Sequence, residues 1–168
     1  MTMNTTKIHS GKIRSMASVY LRQADRLLLL YRQGSSIVNN LWIGSAGGHF
    51  EQEELRDAKA CMLRELAEEL SLNEESLENL SLRYVTLRYT DGEIRQNYYF
   101  FADLKDEFQQ TLQSNEGILQ WFSLTELGDL PMPFTARHII DHYLSIGRFN
   151  SALYGGIAND STVVFHNL

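Results

Sequence analysis

The chain has 168 residues, of which 43% are hydrophobic and 21% are charged. This length and balance are typical of one folded globular domain and exclude collagen-like, disordered and membrane-embedded chains. The net charge of −6 argues against a broad surface for the nucleic-acid backbone, because such binding depends on basic patches. The single cysteine, Cys61, excludes an internal disulfide framework.

The sequence also lacks the features of a membrane or secreted protein. Its longest aliphatic run, Leu27 to Leu30, is far shorter than the roughly 20 apolar residues that span a bilayer. Residues 1–14 contain no apolar stretch of the kind found in secretory signals. We therefore expect a cytoplasmic protein without a membrane partner.

The first fifty residues predict a hairpin, a loop and a further strand. Residues 16–32 hold two β-rich runs around residues 23–25, which indicates a hairpin. A loop is expected over residues 33–40. Residues 41–50 then predict a short apolar strand that runs into glycine-rich backbone.

The middle of the chain predicts a helix and a second hairpin. Asp57 is a suitable N-cap for a helix over about 58–70, where the apolar spacing is helical. Residues 80–90 and 93–104 form β-rich runs on either side of the dipeptide 91–92, Asp-Gly, which is a strong signal for a two-residue hairpin turn.

The last third predicts a strand at 118–122, a loop with a short helical turn at 124–134 and a second helix over about 135–146. The tail, residues 147–168, ends in a β-branched run that predicts either an added strand or a dimer contact. We therefore expect the protein to be a monomer or a homodimer.

Strands and helices alternate along the chain, so we expect an α/β fold with helices packed on a mixed sheet. No internal repeat or linker divides residues 1–168, which predicts a single domain.

Residues 51–78 carry ten acidic and three basic side chains, a balance of −7. On a helical wheel, three of these acids share an arc of about 100°: Glu65, Glu68 and Glu69. The apolar residues of the same helix are predicted to lie opposite this arc: Ala60, Leu63, Leu66, Ala67 and Leu70. Arg64 lies one turn before Glu68, and we expect it to pair with that carboxylate and fix its rotamer.

Two interpretations of this acidic helix remain open. It could be a solvated face with a surface ion pair worth about 0.2–0.5 kcal/mol. Alternatively, its carboxylates could hold a hard cation such as Mg²⁺ or Mn²⁺. The pair Gly47-Gly48, which places flexible backbone just upstream of the acids, favours the second interpretation.

The order of these features resembles the Nudix hydrolases, whose signature is G-x5-E-x7-R-E-U-x-E-E-x-G-U, with U an aliphatic residue. The matching stretch is GGHFEQEELRDAKACMLRELAEELSL, residues 47–72. Gly48 matches the signature glycine, and residues 64–69 match its core without a mismatch. Two departures occur: Ser71 replaces the last glycine, and nine residues instead of seven separate Glu54 from Arg64. The latter difference is a two-residue insertion before the helix, and it leaves the roles of Glu51 and Glu54 open.

The resemblance covers the chain up to about residue 146 and looks like a bacterial branch often labelled 8-oxo-dGTP diphosphatase-like. It implies an α/β/α sandwich with a mixed β-sheet and a catalytic loop–helix–loop. It also implies Mg²⁺- or Mn²⁺-dependent cleavage of a phosphoanhydride bond in a nucleoside di- or triphosphate derivative, such as 8-oxo-dGTP, with release of a nucleoside monophosphate and pyrophosphate.

The resemblance also implies roles for particular residues. The implied metal ligands are Gly47, through its carbonyl, Glu65, Glu68 and Glu69. The general base is expected to be Glu65, Glu69 or Glu116, with Arg64 orienting the carboxylates. Substrate contacts are expected at Arg32, Gly48 and His49. Four aromatic residues could stack on a base, although aromatic residues in strands are more often part of the core: Trp42, Phe50, Tyr98 and Tyr99.

Other functions remain open at this point. A non-catalytic Nudix-fold module could bind a nucleotide or a protein partner, although such a module would normally have lost some of the signature carboxylates. An enzyme of the same family could instead act on ADP-ribose, a dinucleotide polyphosphate or a nucleotide sugar. Specificity resides in loops and contacts outside the signature, so the sequence does not decide between these substrates.

Overall fold

The computed structural model describes residues 12–34 and 39–168, with the side chains of residues 109–111 excluded. Part of the loop predicted over 33–40, and most of the N-terminal segment assessed for a secretory signal, lie outside the described residues. Among the residues that are described, no helix is long and apolar enough to cross a membrane.

Nine strands of the described chain join into one mixed sheet: β1 (Lys12–Gln23), β2 (Arg26–Arg32), β3 (Leu41–Ile43), β4 (Ala46–His49), β5 (Leu77–Thr90), β6 (Glu93–Leu104), β7 (Gly117–Ser123), β8 (Tyr154–Ala158) and β9 (Val163–Asn167). Their order is β3-β2-β1-β6-β5-β8-β9, with β4 also paired to β1 and β7 to β2. The β1–β6 and β5–β8 pairs are parallel, whereas the others are antiparallel.

Both predicted hairpins are present. β1 begins four residues before the predicted start, because residues 12–15 pair with residues 93–96 of β6. Asp91 and Gly92 connect β5 to β6, and both have positive φ angles, 53° and 77°. Asp-Gly tolerates this conformation, which suits the twist of a two-residue hairpin.

The described residues also form the two predicted α-helices, α1 (Ala58–Leu70) and α2 (Phe134–Ser145). The predicted limits of α1 are confirmed, and Oδ1 of Asp57 accepts a hydrogen bond from the Ala60 backbone N–H at 3.0 Å. α2 begins and ends one residue earlier than predicted, directly after Pro133, whose fixed φ suits entry into a helix.

The two helices cover opposite faces of the sheet. α1 packs on one face through Cys61, Met62, Leu66 and Leu70, against Ala17, Val19 and Leu21 of β1. α2 packs on the other face through Ile139, Ile140 and Tyr143, against Tyr20 of β1 and neighbouring strands. Successive residues of a strand point to opposite faces, so β1 contributes to both cores. The predicted α/β/α sandwich is confirmed.

The tail adds two strands beyond β5. β8 pairs with β5 in parallel, and its Tyr154 stacks on Tyr84 with ring centroids 5.6 Å apart. Arg83, only 4% exposed, donates hydrogen bonds of 2.8–2.9 Å to three carbonyls before β8, those of Gly147, Asn150 and Ala152. The tail is therefore an integral part of the sheet, while its predicted role in a dimer stays a prediction.

Ser71, the residue after α1, adopts a left-handed conformation with φ 56°. Its N–H donates to the carbonyl of Ala67 at 3.0 Å, which closes the helix end. A residue with a Cβ is strained in this region, whereas glycine is not.

We therefore expect Ser71→Gly to raise the free energy of unfolding by about 0.5–1 kcal/mol, measured by urea denaturation. Ser71→Ala retains the Cβ and serves as the control; a Ser71→Gly variant no more stable than Ser71→Ala would contradict this explanation.

Candidate active site

A cavity of about 630 Å³ lies between the α2 face of the sheet, the start of α2 and one side of α1. Eight of the nine site residues predicted from the sequence line it: Arg32, Gly47, Gly48, His49, Arg64, Glu65, Glu69 and Glu116. The exception is Glu68, whose side chain is 58% exposed and does not line the cavity. The fold thus brings residues from β2, β4, the loop before β7 and α1 into a single site.

Glu65 and Glu69 lie directly against the glycine pair of β4. Oε2 of Glu69 accepts a hydrogen bond from the N–H of Gly47 at 3.0 Å. The Glu65 carboxylate occupies the space where a side chain at position 48 would project, so any residue other than glycine there would collide with it. Gly48 therefore allows the Glu65 carboxylate to approach the strand backbone, whereas the lack of a side chain at Gly47 allows close contact with Ala17 and Ser18 of β1.

The predicted orientation of α1 was wrong in one respect. The carboxylate face was expected to lie opposite the apolar face, but Glu65 and Glu69 lie on the side that packs against the sheet. Cys61 and Met62, which flank them on the helix, are fully buried, and Ala67, predicted to be in the core, is exposed. The helical wheel alone could not show this, because the space beside the glycine pair admits carboxylates into a packed interface.

The electrostatics of this pair suit a bound cation. Burial raises the pKa of Glu69 to about 7, and burial also raises the pKa of Glu65. A buried carboxylate is stabilised in its charged form by a nearby positive charge. In the described part of the chain, no three acidic, histidine or cysteine side chains are already arranged around a common point. The donor set of carboxylate and backbone oxygens nevertheless fits a hard divalent ion.

Arg64 is the centre of an ion-pair network. Its Nε donates to Oε1 of Glu54 at 2.7 Å and its second amino group donates to Oε2 at 3.0 Å, a bidentate pair. The guanidinium also donates to Glu65 at 2.8 Å, to Glu68 at 3.2 Å and to the carbonyl of His49 at 3.0 Å. The predicted Arg64–Glu68 pair is present, but the buried Glu54 is the main partner.

Glu54 lies in the segment that contains the two-residue insertion. It is 8% exposed, and Oε2 also accepts the N–H of Glu51 at 2.9 Å. The hydrogen bonds from Arg64 hold its pKa at about 2. Glu54 therefore anchors the arginine that orients Glu65. Sequence spacing did not predict this role, because the helical wheel does not extend across the intervening loop.

The low pKa of Glu54 predicts a pH-dependent stability. A carboxyl group with a pKa of about 2 in the folded state and 4.5 in the unfolded state stabilises the fold above pH 4.5. This contribution is lost as the pH falls from 4.5 through 2. We expect the stability difference between the wild type and Glu54→Gln, measured by urea unfolding at a series of pH values, to shrink over that window. A difference that stays constant would rule out the carboxylate as its source.

Arg32 and Glu116, predicted as a phosphate contact and a candidate base, pair with each other. The guanidinium donates to Oε2 of Glu116 at 2.7 Å, and the side chains are 29% and 36% exposed. The pair spans β2 and the residue before β7, which are hydrogen-bonded neighbours in the sheet. Both groups remain accessible from the cavity.

His49 accepts a hydrogen bond at its Nε2 from Nε of Arg14, at 2.6 Å. Burial, reinforced by the positive charge of Arg14, lowers the pKa of His49. The imidazole is therefore neutral near pH 7, with its proton on Nδ1.

Two of the four aromatic candidates line the cavity, namely Phe50 and Tyr99. Trp42 packs edge-on against Phe122, with ring centroids 4.6 Å apart, and Tyr98 stacks on Phe50 at 5.4 Å. Packing thus accounts for Trp42 and Tyr98, as is typical of strand aromatics.

Further residues of the cavity were not predicted as part of the site. Arg14, Arg88, Arg95 and Phe134 all line it, and the Arg88 guanidinium lies 4.4 Å from the centre of the Phe134 ring. A signal for part of this set was present in the sequence. Arg88 and Arg95 stand at equal distances from the Asp-Gly turn, so a two-residue hairpin places them opposite each other, as the register confirms.

The comparisons with known proteins agree with this geometry. The NUDIX domain family matches residues 12–143. A search among curated proteins finds no match. Solved structures with the same fold include the MutT protein from Bacillus halodurans, which is 21% identical with a TM-score of 0.66, over 92% of this chain and 97% of that one.

Two further similar structures have descriptions that name other nucleotides. An Ap4A hydrolase from C. elegans, in a binary complex, is 16% identical with a TM-score of 0.59, over 83% of this chain and 99% of that one. The NUDIX domain of Shewanella oneidensis NrtR, in complex with ADP ribose, is 15% identical with a TM-score of 0.60, over 89% and 100% of the two chains. These likenesses show a shared fold, and the family match over most of the chain shows that this protein belongs to the Nudix family.

Proposed function

We propose that this protein is a divalent-metal-dependent hydrolase that cleaves a phosphoanhydride bond in a nucleoside di- or triphosphate derivative. The observation that carries the proposal is the pair of half-buried carboxylates, Glu65 and Glu69, packed against Gly47 and Gly48 in a large cavity. Burial raises the pKa of both carboxyl groups, and a bound cation would stabilise their charged forms, which argues for a functional role.

Glu65, Glu68, Glu69 and the Gly47 carbonyl are the residues that would hold Mg²⁺ or Mn²⁺. Such an ion, when bound, neutralises phosphate charge and lowers the pKa of a water nucleophile. Arg64 acts as a positioning residue: Glu54 fixes its guanidinium, which in turn holds Glu65 and reaches Glu68. Glu68, which is exposed and does not line the cavity, would complete the donor set.

The remaining cavity groups would bind the phosphates and activate water. Arg32 offers a guanidinium to phosphate oxygens, while the backbone at Gly48 and the neutral His49 offer contacts beside it. Glu65, Glu69 and Glu116 are the candidates for the base that takes the proton from the attacking water. Glu116 differs from the other two because its partner is Arg32, the same group that would receive the phosphate.

The preferred substrate in this proposal is a nucleoside triphosphate such as 8-oxo-dGTP, with a nucleoside monophosphate and pyrophosphate as products. The test is a substrate panel with Mg²⁺ that contains 8-oxo-dGTP, canonical dNTPs, ADP-ribose and dinucleotide polyphosphates, with products resolved by chromatography. We expect metal-dependent release of a monophosphate that is lost in Glu68→Gln. Glu53→Gln, at an exposed position outside the cavity, makes the same change of charge and should retain activity.

The same experiment distinguishes the rival functions. Turnover of ADP-ribose or of a dinucleotide polyphosphate in preference to 8-oxo-dGTP would reassign the substrate within the same chemistry. No turnover of any compound, with folded protein and bound metal, would overturn hydrolysis in favour of a nucleotide- or partner-binding module.

A further inference from the structure

Three arginines form a row across the sheet floor of the cavity. Arg14 of β1 is in register with Arg95 of β6, and Arg95 is in register with Arg88 of β5. Residues in register on neighbouring strands project from the same face, roughly 4.5–5.5 Å apart, and like charges in this arrangement repel. All three side chains line the cavity. In a chain of net charge −6, such a row weakens the fold unless an anion binds there.

Acidic side chains compensate two of these arginines only loosely. Arg14 lies 3.8 Å from Glu93, and Arg95 lies 3.4 Å from Asp91, whose side chain is 80% exposed. Solvated pairs of this kind contribute about 0–1 kcal/mol and exchange readily with other anions. Arg14 and Arg95 are themselves about one-third exposed, so a ligand can reach them.

Arg88 contacts an aromatic ring, whereas Arg14 and Arg95 pair with acidic side chains. Its guanidinium lies over Phe134, the first residue of α2, at 4.4 Å from the ring centre. The Nε atoms of Arg88 and Arg95 are buried and have no hydrogen-bond partner among the described residues. Contact with the ring orients the planar guanidinium, whose fork of donors suits the oxygens of a phosphate in a bidentate manner.

The row starts beside the glutamates and runs away from them. Arg14 donates to His49 at 2.6 Å, and the His49 carbonyl accepts from Arg64, which donates to Glu65. From Arg14 to Arg88 the row crosses two strand spacings, about 10 Å. A group bound between Arg95 and Arg88 is therefore remote from an anhydride held at the glutamates.

We propose that the arginine row, Arg14, Arg95 and Arg88, binds a second phosphoryl group of the substrate, separate from the anhydride that is cleaved. This inference rests on the proposed function and narrows its substrate to nucleotides that carry a further phosphoryl group away from the anhydride that is cleaved. Two kinds of nucleotide meet this requirement: a nucleoside diphosphate derivative phosphorylated on its ribose, and a linear polyphosphate long enough to reach the row.

Equilibrium binding tests the row without dependence on turnover. Titration calorimetry of the full chain with Mg²⁺ would compare AMP with adenosine 2′,5′-bisphosphate, adenosine 3′,5′-bisphosphate and the non-hydrolysable α,β-methylene-ATP. We expect at least one of the three multiply phosphorylated probes to bind about 10-fold tighter than AMP, because an extra charge-assisted phosphate contact is worth that factor. A preference for a bisphosphate would assign a ribose phosphate, and a preference for methylene-ATP alone would assign a linear chain.

Variants decide whether the row is the source of the preference. Arg88→Met and Arg95→Met keep the aliphatic stem and should bring the affinity ratio close to one. Arg148→Met removes a charge outside the cavity and should leave the ratio at its wild-type value. Arg95→Lys, which keeps the charge but not the fork of donors, should reduce the ratio partially and replaces Arg95→Met if that variant fails to fold.

The outcomes separate this inference from the proposed hydrolysis. Equal affinity for AMP and all three probes in the wild type, or a preference that persists in the arginine variants, would overturn the phosphoryl site. If the preference is present but no compound in the substrate panel is turned over, the phosphoryl site stands and hydrolysis fails. If a compound in the panel is turned over but the wild type binds AMP and all three probes equally, hydrolysis stands and the phosphoryl site is overturned.

Discussion

Glu69→Gln is expected to lower kcat/KM for the substrate about 10³-fold, which corresponds to the several kcal/mol that a correctly held divalent ion supplies. The glutamine side chain keeps the size of the glutamate and retains an oxygen for the N–H of Gly47, so the contact at 3.0 Å can persist. The variant loses the negative charge that attracts the ion. The measurement is the rate of monophosphate release as a function of Mg²⁺ concentration, together with Mn²⁺ binding followed by electron paramagnetic resonance.

Glu53→Gln is the matched control for this experiment, since it removes one charge from an exposed position outside the cavity. Its rate and metal affinity should equal those of the wild type. A Glu69→Gln protein with an unchanged rate and an unchanged dependence on Mg²⁺ would exclude Glu69 as a ligand and as the base.

Arg64→Met is expected to destabilise the fold by about 3 kcal/mol, because it leaves the buried Glu54 carboxylate without its partner. The same change should lower the turnover rate about 10–100-fold, since Glu65 loses the group that orients it. Urea denaturation measures the first effect, and the substrate assay at a temperature where the variant is folded measures the second.

The double variant Arg64→Met/Glu54→Gln separates the two effects. Removing the lone buried charge should restore most of the lost stability, whereas turnover should stay low because Glu65 remains unheld. Stability losses that simply add in the double variant would show that Arg64 and Glu54 act independently, contrary to the bidentate pair in the structure.

Features set by local sequence were predicted well. The limits of α1 follow from Asp57 as N-cap and from the helical spacing of its apolar residues, both of which act within a few residues along the chain. The β5–β6 hairpin follows from Asp-Gly at residues 91–92, because few other dipeptides tolerate two positive φ angles.

Features set by long-range contacts were not predicted. The burial of Glu54 and its role with Arg64 depend on how the segment before α1 folds back on the helix. Arg14 joins the arginine row only because β1 runs parallel to β6, some 80 residues further along the chain. The sequence also placed Glu68 with Glu65 and Glu69, whereas only the latter two line the cavity. Angular position on a wheel does not reveal which neighbour a helix face will contact.

The C-terminal strands β8 and β9 determine whether a truncated fragment of this protein can keep its sheet edge covered. The family match ends at residue 143, before β8 and β9. A fragment cut at that point would leave the backbone groups of β5 unpaired along residues 84–88 and would remove Tyr154 and Phe165 from around Tyr84. A bare strand edge next to an exposed aromatic ring recruits strands from other molecules and leads to aggregation. The hairpin formed by β8 and β9 therefore covers the edge of β5 and the Tyr84 ring, which residues 12–143 alone would leave open.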